Sequence, residues 1–210
     1  MTAVVDVWAD VRCPWCWIGL QRLREAPRGA VRQPTVRYRA FLLEPDGPPR
    51  SGRPMAEVAV EEWGMTPAQW SAKSASIRAA GAAEGLEINV DTAVTFDSRP
   101  VHRILKLATS LQPEGAGDAW EVAFDAHFRR NVDLSSTEGV AELAANLGLE
   151  VAAVRDMFAG DDFAASVVDD LAVARDLGIQ SVPTVRSGGR LLAGSHSVAD
   201  LAAHFSLAAA

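Results

Sequence analysis

A pair of cysteines, Cys13 and Cys16, constrains the fold of this sequence more than any other feature. They are the only two cysteines among 210 residues. Residues 4–8, just before them, are β-branched and apolar enough to form a buried strand, and Pro14 suits the first turn of a following helix. A strand that leads into a Cys-x-x-Cys helix is typical of a redox-active pair.

The spacing assigns a different role to each thiol. We expect Cys13 at the N-terminus of the helix, where unpaired backbone N–H groups and the helix dipole favour an anion, so that its thiolate is the nucleophile. We expect Cys16 inside the helix, where it can resolve a mixed disulfide formed at Cys13. Arg12 would add positive charge beside the first sulfur, and Trp15 would supply an exposed apolar face.

Metal binding and inert burial account less well for the cysteine pair. A structural zinc site needs four ligands, and the four histidines form no second pair at matching spacing, so we expect no metal. Free cysteines are also often buried as unreactive core residues. The strand before the pair and the helix after it favour redox chemistry over both.

Composition and charge exclude several functional classes. The net charge of −7 argues against a general nucleic-acid binder. The absence of any apolar run of about 18 residues predicts no membrane span. Residues 1–3 carry no basic region or cleavage site, so we expect no secretory signal and a cytoplasmic protein. An excess of arginine in residues 1–50 would attract the carboxylates of a low-molecular-weight thiol as co-substrate or, more simply, form a solvated face.

The remaining pattern predicts α/β segments at both ends of the chain and a helical block between them. Prolines and glycines at 44–54 indicate a loop at the first junction. The other predicted elements are helix 14–27, strand 35–42, helices 66–84, 98–111, 117–130, 135–147, 150–158 and 162–177, strands 184–186 and 190–194, and helix 197–207.

Without the helical block, the order β-α-β followed by α-β-β-α is that of a thioredoxin fold. The sequence therefore predicts an α/β protein with a thioredoxin-like fold and a large all-helical insertion. We place the first thioredoxin-like part at residues 1–45, the insertion at 46–165 and the second part at 166–210.

Several motifs resemble those of one family. The stretch CPWCWIG at residues 13–19, the segment 179–184 and the helical insertion resemble DsbA-like thioredoxin-fold oxidoreductases. More narrowly, they resemble the FrnE-type subgroup, which commonly has CPWCYIG and, where this chain has residues 97–103, N-T-x-x-A-H-R; Asp97 departs from that asparagine. The resemblance spans essentially the whole chain. It implies a thiol–disulfide oxidoreductase that acts on protein or small-molecule disulfides and needs no cofactor beyond its own redox-active disulfide.

Pro183 is the next candidate site residue. In a Val-Pro-Thr segment that enters a strand, it resembles the cis-proline that packs opposite the cysteine pair in thioredoxin folds. A cis bond after Val182 would expose the backbone of Val182 for pairing with an extended substrate. The alternative is a trans-proline at the start of an edge strand. Val182 and Pro183, with Pro14 and Trp15, form the predicted substrate-binding set.

His102 and Arg12 are two further candidates. His102 lies on a predicted helix of the insertion, and its imidazole titrates near neutrality, so it could carry protons for the cysteines. The simpler role is a structural histidine that satisfies backbone groups. Among the tryptophans, we expect Trp15 beside an apolar groove at the sulfurs. Trp63 is a second candidate for that groove, but the simpler expectation for it, as for the other tryptophans, is packing in the core.

Three functions stay open on the sequence alone. The first is thiol–disulfide exchange. The second is glutathione-dependent isomerase or transferase chemistry on a small aromatic or polyketide substrate, because the fold also resembles kappa-class glutathione transferases and hydroxychromene-carboxylate isomerases. Those enzymes carry serine where Cys13 stands, and Cys16 argues against this function. The third is a non-catalytic redox-sensing module. The apolar helical block would also permit a homodimer.

Overall fold

The computed structural model describes residues 4–26 and 34–208. Within these ranges one sheet contains four strands, in the spatial order β2-β1-β3-β4. The strands are β1 (Val4–Ala9), β2 (Thr35–Ala40), β3 (Thr184–Ser187) and β4 (Arg190–Ala193). Strand β1 pairs in parallel with β2 and antiparallel with β3, and β3 and β4 form an antiparallel hairpin.

Nine α-helices lie in the described part of the chain. They are α1 (Pro14–Glu25), α2 (Met55–Glu61), α3 (Pro67–Ala83), α4 (Arg99–Leu111), α5 (Ala116–Phe124), α6 (Thr137–Asn146), α7 (Val151–Ala159), α8 (Ala164–Asp176) and α9 (Val198–Ala208). Helices α2 to α8 all lie between β2 and β3 in the sequence. The predicted α/β class and the helical insertion are both confirmed.

The cysteine motif follows the central strand of the sheet. Strand β1 is buried from Val5 to Ala9, as expected for a β-branched strand that is covered on both faces. The indole Nε1 of Trp8 donates a hydrogen bond to the backbone oxygen of Asp170 in α8 at 3.1 Å. The strand that leads into Cys13 is therefore held between strands β2 and β3 and by a hydrogen bond to helix α8.

Polar side chains cap two helices of the insertion. Thr66 caps α3 and forms a capping box with Gln69, and Pro67 occupies the first position of the helix. Ser136 caps α6, and its Oγ accepts a hydrogen bond from the backbone N–H of Gly139 at 3.0 Å. Short polar side chains that satisfy orphan N–H groups fix these helix starts, which is why the sequence reveals them.

Two helical features differ from the prediction. Helix α2, seven residues long, is not predicted from the sequence. Arg53 stabilises it through ion pairs with Glu57, Glu61 and Glu62. The helix predicted at 117–130 ends as α5 and continues as a π-helical turn, Asp125–Arg129. Short helices and π-turns depend on tertiary contacts, which local sequence patterns do not record.

The predicted division of the chain stays a prediction. Helix α8 begins at Ala164, so the proposed boundary at residue 165 lies in its first turn. The end of the predicted motif helix, residue 27, lies outside the described residues.

Candidate active site

Cys13 lies at the N-terminus of α1, as its sequence context predicts. Its backbone is extended, with φ −97° and ψ 108°, and Pro14 begins the helix. The backbone N–H of Cys13 donates to the oxygen of Asp10 at 2.9 Å, and that of Cys16 donates to the oxygen of Cys13 at 3.0 Å. This tight turn places the Cys13 sulfur where the helix dipole favours negative charge.

Cys16 lies one turn further along and is completely buried. Burial is the largest cause that raises the pKa of the Cys16 thiol well above its usual value, and the neighbouring Cys13 thiol raises it further. Cys16 therefore stays protonated as long as Cys13 is not part of a disulfide. Because part of the increase comes from Cys13, a mixed disulfide at Cys13 would remove that contribution and make Cys16 easier to deprotonate.

Pro183 lies opposite the cysteine pair. The Val182–Pro183 peptide bond is cis, as predicted. The Cys13 sulfur approaches the backbone oxygen of Val182 at 3.7 Å. A Cβ added to Gly19 would come within 2.8 Å of Cγ of Pro183, so the lack of a side chain at Gly19 allows α1 to pack against the proline ring.

An apolar groove opens beside Cys13, with a volume of about 440 Å³. We call it the tryptophan groove; it is lined by Arg12, Cys13, Pro14, Trp15, Leu43, Glu44, Met55, Trp63, Trp70, Lys73, Ile77, Val90, Gln180, Ser181 and Val182. Its walls come from the motif, the loop after β2, helices α2 and α3 and the segment before β3. The groove thus brings together residues from all three predicted parts of the chain.

The tryptophans of the groove differ in exposure. Trp15, expected to be exposed, is half-buried, and Trp63 is 42% exposed. Trp70, expected in the core, is buried but its ring also borders the groove. The rings of Trp63 and Trp70 meet edge to face with centroids 6.2 Å apart. Trp15 lines the groove beside Cys13 as expected, and Trp63 lines it too instead of packing in the core.

Arg12 does not supply free positive charge at the motif. Its side chain is buried and forms an ion pair with Glu44 at 2.7 Å. Other arginines near the start of the chain are also paired: Arg22 with Glu84, and Arg37 and Arg39 with Asp6. These side chains are thus held by carboxylates of the protein itself, although that of Arg37 stays 54% exposed to solvent. Attraction of a low-molecular-weight thiol by the arginines stays a prediction.

The sequence prediction missed Asp10, which lies buried behind the motif. Its carboxylate accepts hydrogen bonds from the backbone N–H groups of Arg12 at 3.1 Å and Leu43 at 2.8 Å. Burial alone would raise the pKa of Asp10, but hydrogen bonding and charge from His102, together with these two N–H groups, outweigh burial and lower the pKa. A lone acid at the end of a strand gives no sequence signal of such a role.

His102 lies behind the motif and outside the tryptophan groove. Its Nε2 atom is 3.0 Å from the backbone oxygen of Phe41 and 3.7 Å from Oδ1 of Asp10. These contacts match the structural role, in which the ring satisfies a backbone carbonyl, and they connect His102 to the cysteines only through Asp10. His102 as a proton carrier stays a prediction.

A second buried histidine, His127, lies in the π-helical turn. Neither of its ring nitrogens has a hydrogen-bond partner within the described ranges. Burial foremost, and then the charge of Arg12, lower the pKa of His127 to about 3. The ring is therefore neutral at physiological pH, and its edge-to-face contact with Phe96 at 5.0 Å is that of a core aromatic residue.

The described residues contain neither a metal-binding cluster nor a membrane-spanning helix. Among residues 4–26 and 34–208, no three His, Cys, Asp or Glu side chains come together as a metal site. The helices found in the same two ranges are all too short or too polar to cross a bilayer.

A comparison with protein-family models decides the family. A model described as the DSBA-like thioredoxin domain matches residues 4–206. The chain belongs to this family. No curated relative matches the sequence.

Several solved structures share the fold of this chain. A probable DsbA oxidoreductase from Streptomyces coelicolor is 25% identical, with a TM-score of 0.88 over 98% of this chain and 89% of that one. The cytosolic disulfide reductase DsbM from Pseudomonas aeruginosa is 19% identical, with a TM-score of 0.62 over 98% and 95%. A 2-hydroxychromene-2-carboxylate isomerase is 16% identical, with a TM-score of 0.65 over 91% and 89%. The DsbA-like thioredoxin fold is thus established.

Proposed function

We propose that this protein is a thiol–disulfide oxidoreductase in which Cys13 is the nucleophile and Cys16 the resolving thiol. The observation that carries the proposal is the unequal placement of the two free thiols at the start of α1. Cys13 borders the tryptophan groove, whereas Cys16 is wholly buried behind it. The family match and the similarity to the Streptomyces protein support the same class of enzyme.

The exchange proceeds in two balanced steps. The Cys13 thiolate attacks one sulfur of a substrate disulfide, a mixed disulfide forms, and the other substrate sulfur leaves and takes up a proton. Cys16 then loses its proton and attacks the Cys13 sulfur, which releases the second substrate thiol. The protein ends with a Cys13–Cys16 disulfide and the substrate with two thiols. The reverse sequence oxidises a substrate dithiol.

The residues around Cys13 suit the binding of a substrate. The backbone of Val182 lies against the Cys13 sulfur, so a chain that pairs with Val182 as an added strand would bring its own sulfur to Cys13. Pro14, Trp15 and Pro183 would form the apolar surroundings of the mixed disulfide. No cofactor is needed, because the two sulfurs carry the electrons.

Two cysteine variants test the proposal. With dithiothreitol as reductant, we expect the wild type to accelerate insulin reduction and Cys13→Ser to abolish that acceleration. We expect Cys16→Ser to accumulate a mixed disulfide that mass spectrometry detects. Full activity of Cys13→Ser would overturn the proposal. Activity that requires added glutathione and survives Cys16→Ser would assign the glutathione-dependent class instead, and an inert wild type would assign a redox-sensing module.

Two finer assignments are proposed with this function. The CPWCWIG motif supports the FrnE-type subgroup. The proposed cytoplasmic location is supported by a cytosolic disulfide reductase that has the same fold.

A further inference from the structure

Helix α3 presents one face to the tryptophan groove. Trp70, Lys73 and Ile77 follow at intervals of three and four residues, and all three line the groove. Residues at this spacing share one side of a helix. Lys73 is thus the one charged side chain in an otherwise apolar stripe that faces the region of Cys13.

The charge of Lys73 is not balanced by the protein. Arg12 and Glu44, the other charged residues that line the groove, pair with each other at 2.7 Å. Over the described residues, no carboxylate lies within ion-pair distance of Lys73, although the whole chain has a net charge of −7. The groove therefore carries one net positive charge, which favours an anionic occupant.

The apolar walls favour a ring-bearing occupant of small size. Trp63 keeps 42% of its surface exposed while its ring contacts that of Trp70, so part of an aromatic ring is open to an occupant. The volume of about 440 Å³ lies in the usual range of small-molecule sites. The other polar groups of the lining, Gln180 and Ser181, are uncharged.

From these features we propose that the tryptophan groove selects small aromatic disulfides that carry a carboxylate. The aromatic body lies against Trp63, the carboxylate lies at Lys73, and one sulfur reaches Cys13. This inference rests on the proposed function and names its substrate class. The chemistry is the exchange described above: the substrate disulfide becomes two thiols, and the reduced protein becomes the Cys13–Cys16 disulfide.

The contributions of the Lys73 charge and of the Trp63 ring can be tested separately with reduced protein and three disulfides. Dithiobis(nitrobenzoate) is aromatic and anionic, dithiodipyridine is aromatic and neutral, and dithiodipropionate is aliphatic and anionic. Single-turnover rate constants are measured with each disulfide in excess, and each variant is compared with the wild type on the same disulfide. Differences in the intrinsic reactivity of the three probes then cancel.

We expect Lys73→Gln to slow the reaction with dithiobis(nitrobenzoate) by about fivefold at low salt, the upper range for an exposed ion pair. The reaction of this variant with dithiodipyridine should stay within about twofold of the wild type. At high salt, the effect of Lys73→Gln on the anionic probe should fall to its effect on the neutral probe. Trp63→Ala should slow both aromatic probes by about fivefold, as loss of one stacked ring predicts, and leave dithiodipropionate unchanged.

Arg155→Gln is the matched control, because it removes one exposed positive charge on α7, outside the groove lining. Its rate constants should equal those of the wild type. If Lys73→Gln leaves dithiobis(nitrobenzoate) unaffected, or slows the neutral probe equally, the substrate assignment is wrong while the proposed function stands. If Cys13→Ser reacts with all three probes like the wild type, the proposed function itself has failed.

Discussion

At the sulfur atoms, burial separates two thiols that lie only one helical turn apart. Burial is the main cause of the raised pKa of Cys16, so we expect its reactivity to stay low even when Cys13 is absent. Iodoacetamide should alkylate Cys13 alone in the reduced wild type at neutral pH. In Cys13→Ser, alkylation of Cys16 should become appreciable only at clearly alkaline pH. Mass spectrometry after timed alkylation checks both statements, and equal rates for the two cysteines would contradict them.

Asp10 predicts a pH dependence of stability. The folded protein lowers the pKa of Asp10, so this carboxylate stabilises the fold at pH values above its unfolded pKa of about 3.9, and the stabilisation is lost as pH falls through the lower folded pKa. Asp10→Asn should cost about 1–3 kcal/mol at neutral pH, because an amide NH2 replaces one of the two oxygens that accept hydrogen bonds from the backbone N–H groups of Arg12 and Leu43.

The measurement for Asp10 is urea unfolding of the wild type and the variant from neutral pH down to the acid limit of folding. The difference in the free energy of unfolding should shrink as pH falls. A difference that is constant with pH would show that the carboxylate charge contributes nothing.

Residues of the site were predictable where local sequence carries the chemistry. Cys13, Cys16 and Pro183 lie in short motifs, and the structure places them together as expected. Asp10 and Lys73 could not be found in this way. Their surroundings are set by Leu43, 33 residues from Asp10, and by a groove whose walls come from distant segments.

At the scale of elements, the packing of α1 against the loop before β3 depends on one missing side chain. In Gly19→Ala, helix propensity alone would favour alanine by about 1 kcal/mol. The new Cβ would however meet the Pro183 ring at 2.8 Å, and overpacking of this kind costs about 1–3 kcal/mol. We expect a net loss of stability in chemical denaturation, together with slower alkylation of Cys13 as α1 shifts.

Gly160→Ala is the control for this substitution. A Cβ at Gly160 would have only one neighbour, the backbone oxygen of Asp156 at 3.8 Å, so the control should be neutral. If Gly19→Ala proves as stable as the control, the contact with Pro183 does not limit the packing of α1.

Elements were predictable where they carry their own start signals. Thr66 and Ser136 fixed the starts of α3 and α6 because the caps are local. Helix α2 depends on Arg53, which pairs with three glutamates, and the π-helical turn depends on a backbone bond from Arg130 to Asp125. Such contacts have no repeating pattern that a sequence reveals.

At the scale of the whole molecule, a buried carboxylate connects helices α4 and α8 to the sheet. Asp170 of α8 accepts a hydrogen bond from the backbone N–H of Ala40 at 2.9 Å and pairs with Arg39 of β2 at 2.9 Å. It also forms an ion pair with Lys106 of α4. One side chain thus joins β2, α4 and α8, outside the lining of the tryptophan groove.

Asp170→Asn should therefore destabilise the whole molecule while the chemistry of Cys13 stays unchanged. Asparagine can still accept the hydrogen bond from Ala40, but Lys106 and Arg39 lose the charge that Asp170 supplies. We expect a cost of about 3 kcal/mol, which lowers Tm by roughly 6–12 °C in a protein of this size. Calorimetry measures the change, and Asp169→Asn, an exposed neighbour on the same helix, is the control.

We expect Asp170→Asn to unfold in one cooperative transition at a lower temperature than the wild type. Below that transition, the alkylation rate of Cys13 should be unchanged. Two separate transitions would instead show that Asp170 joins parts of the chain that otherwise unfold independently.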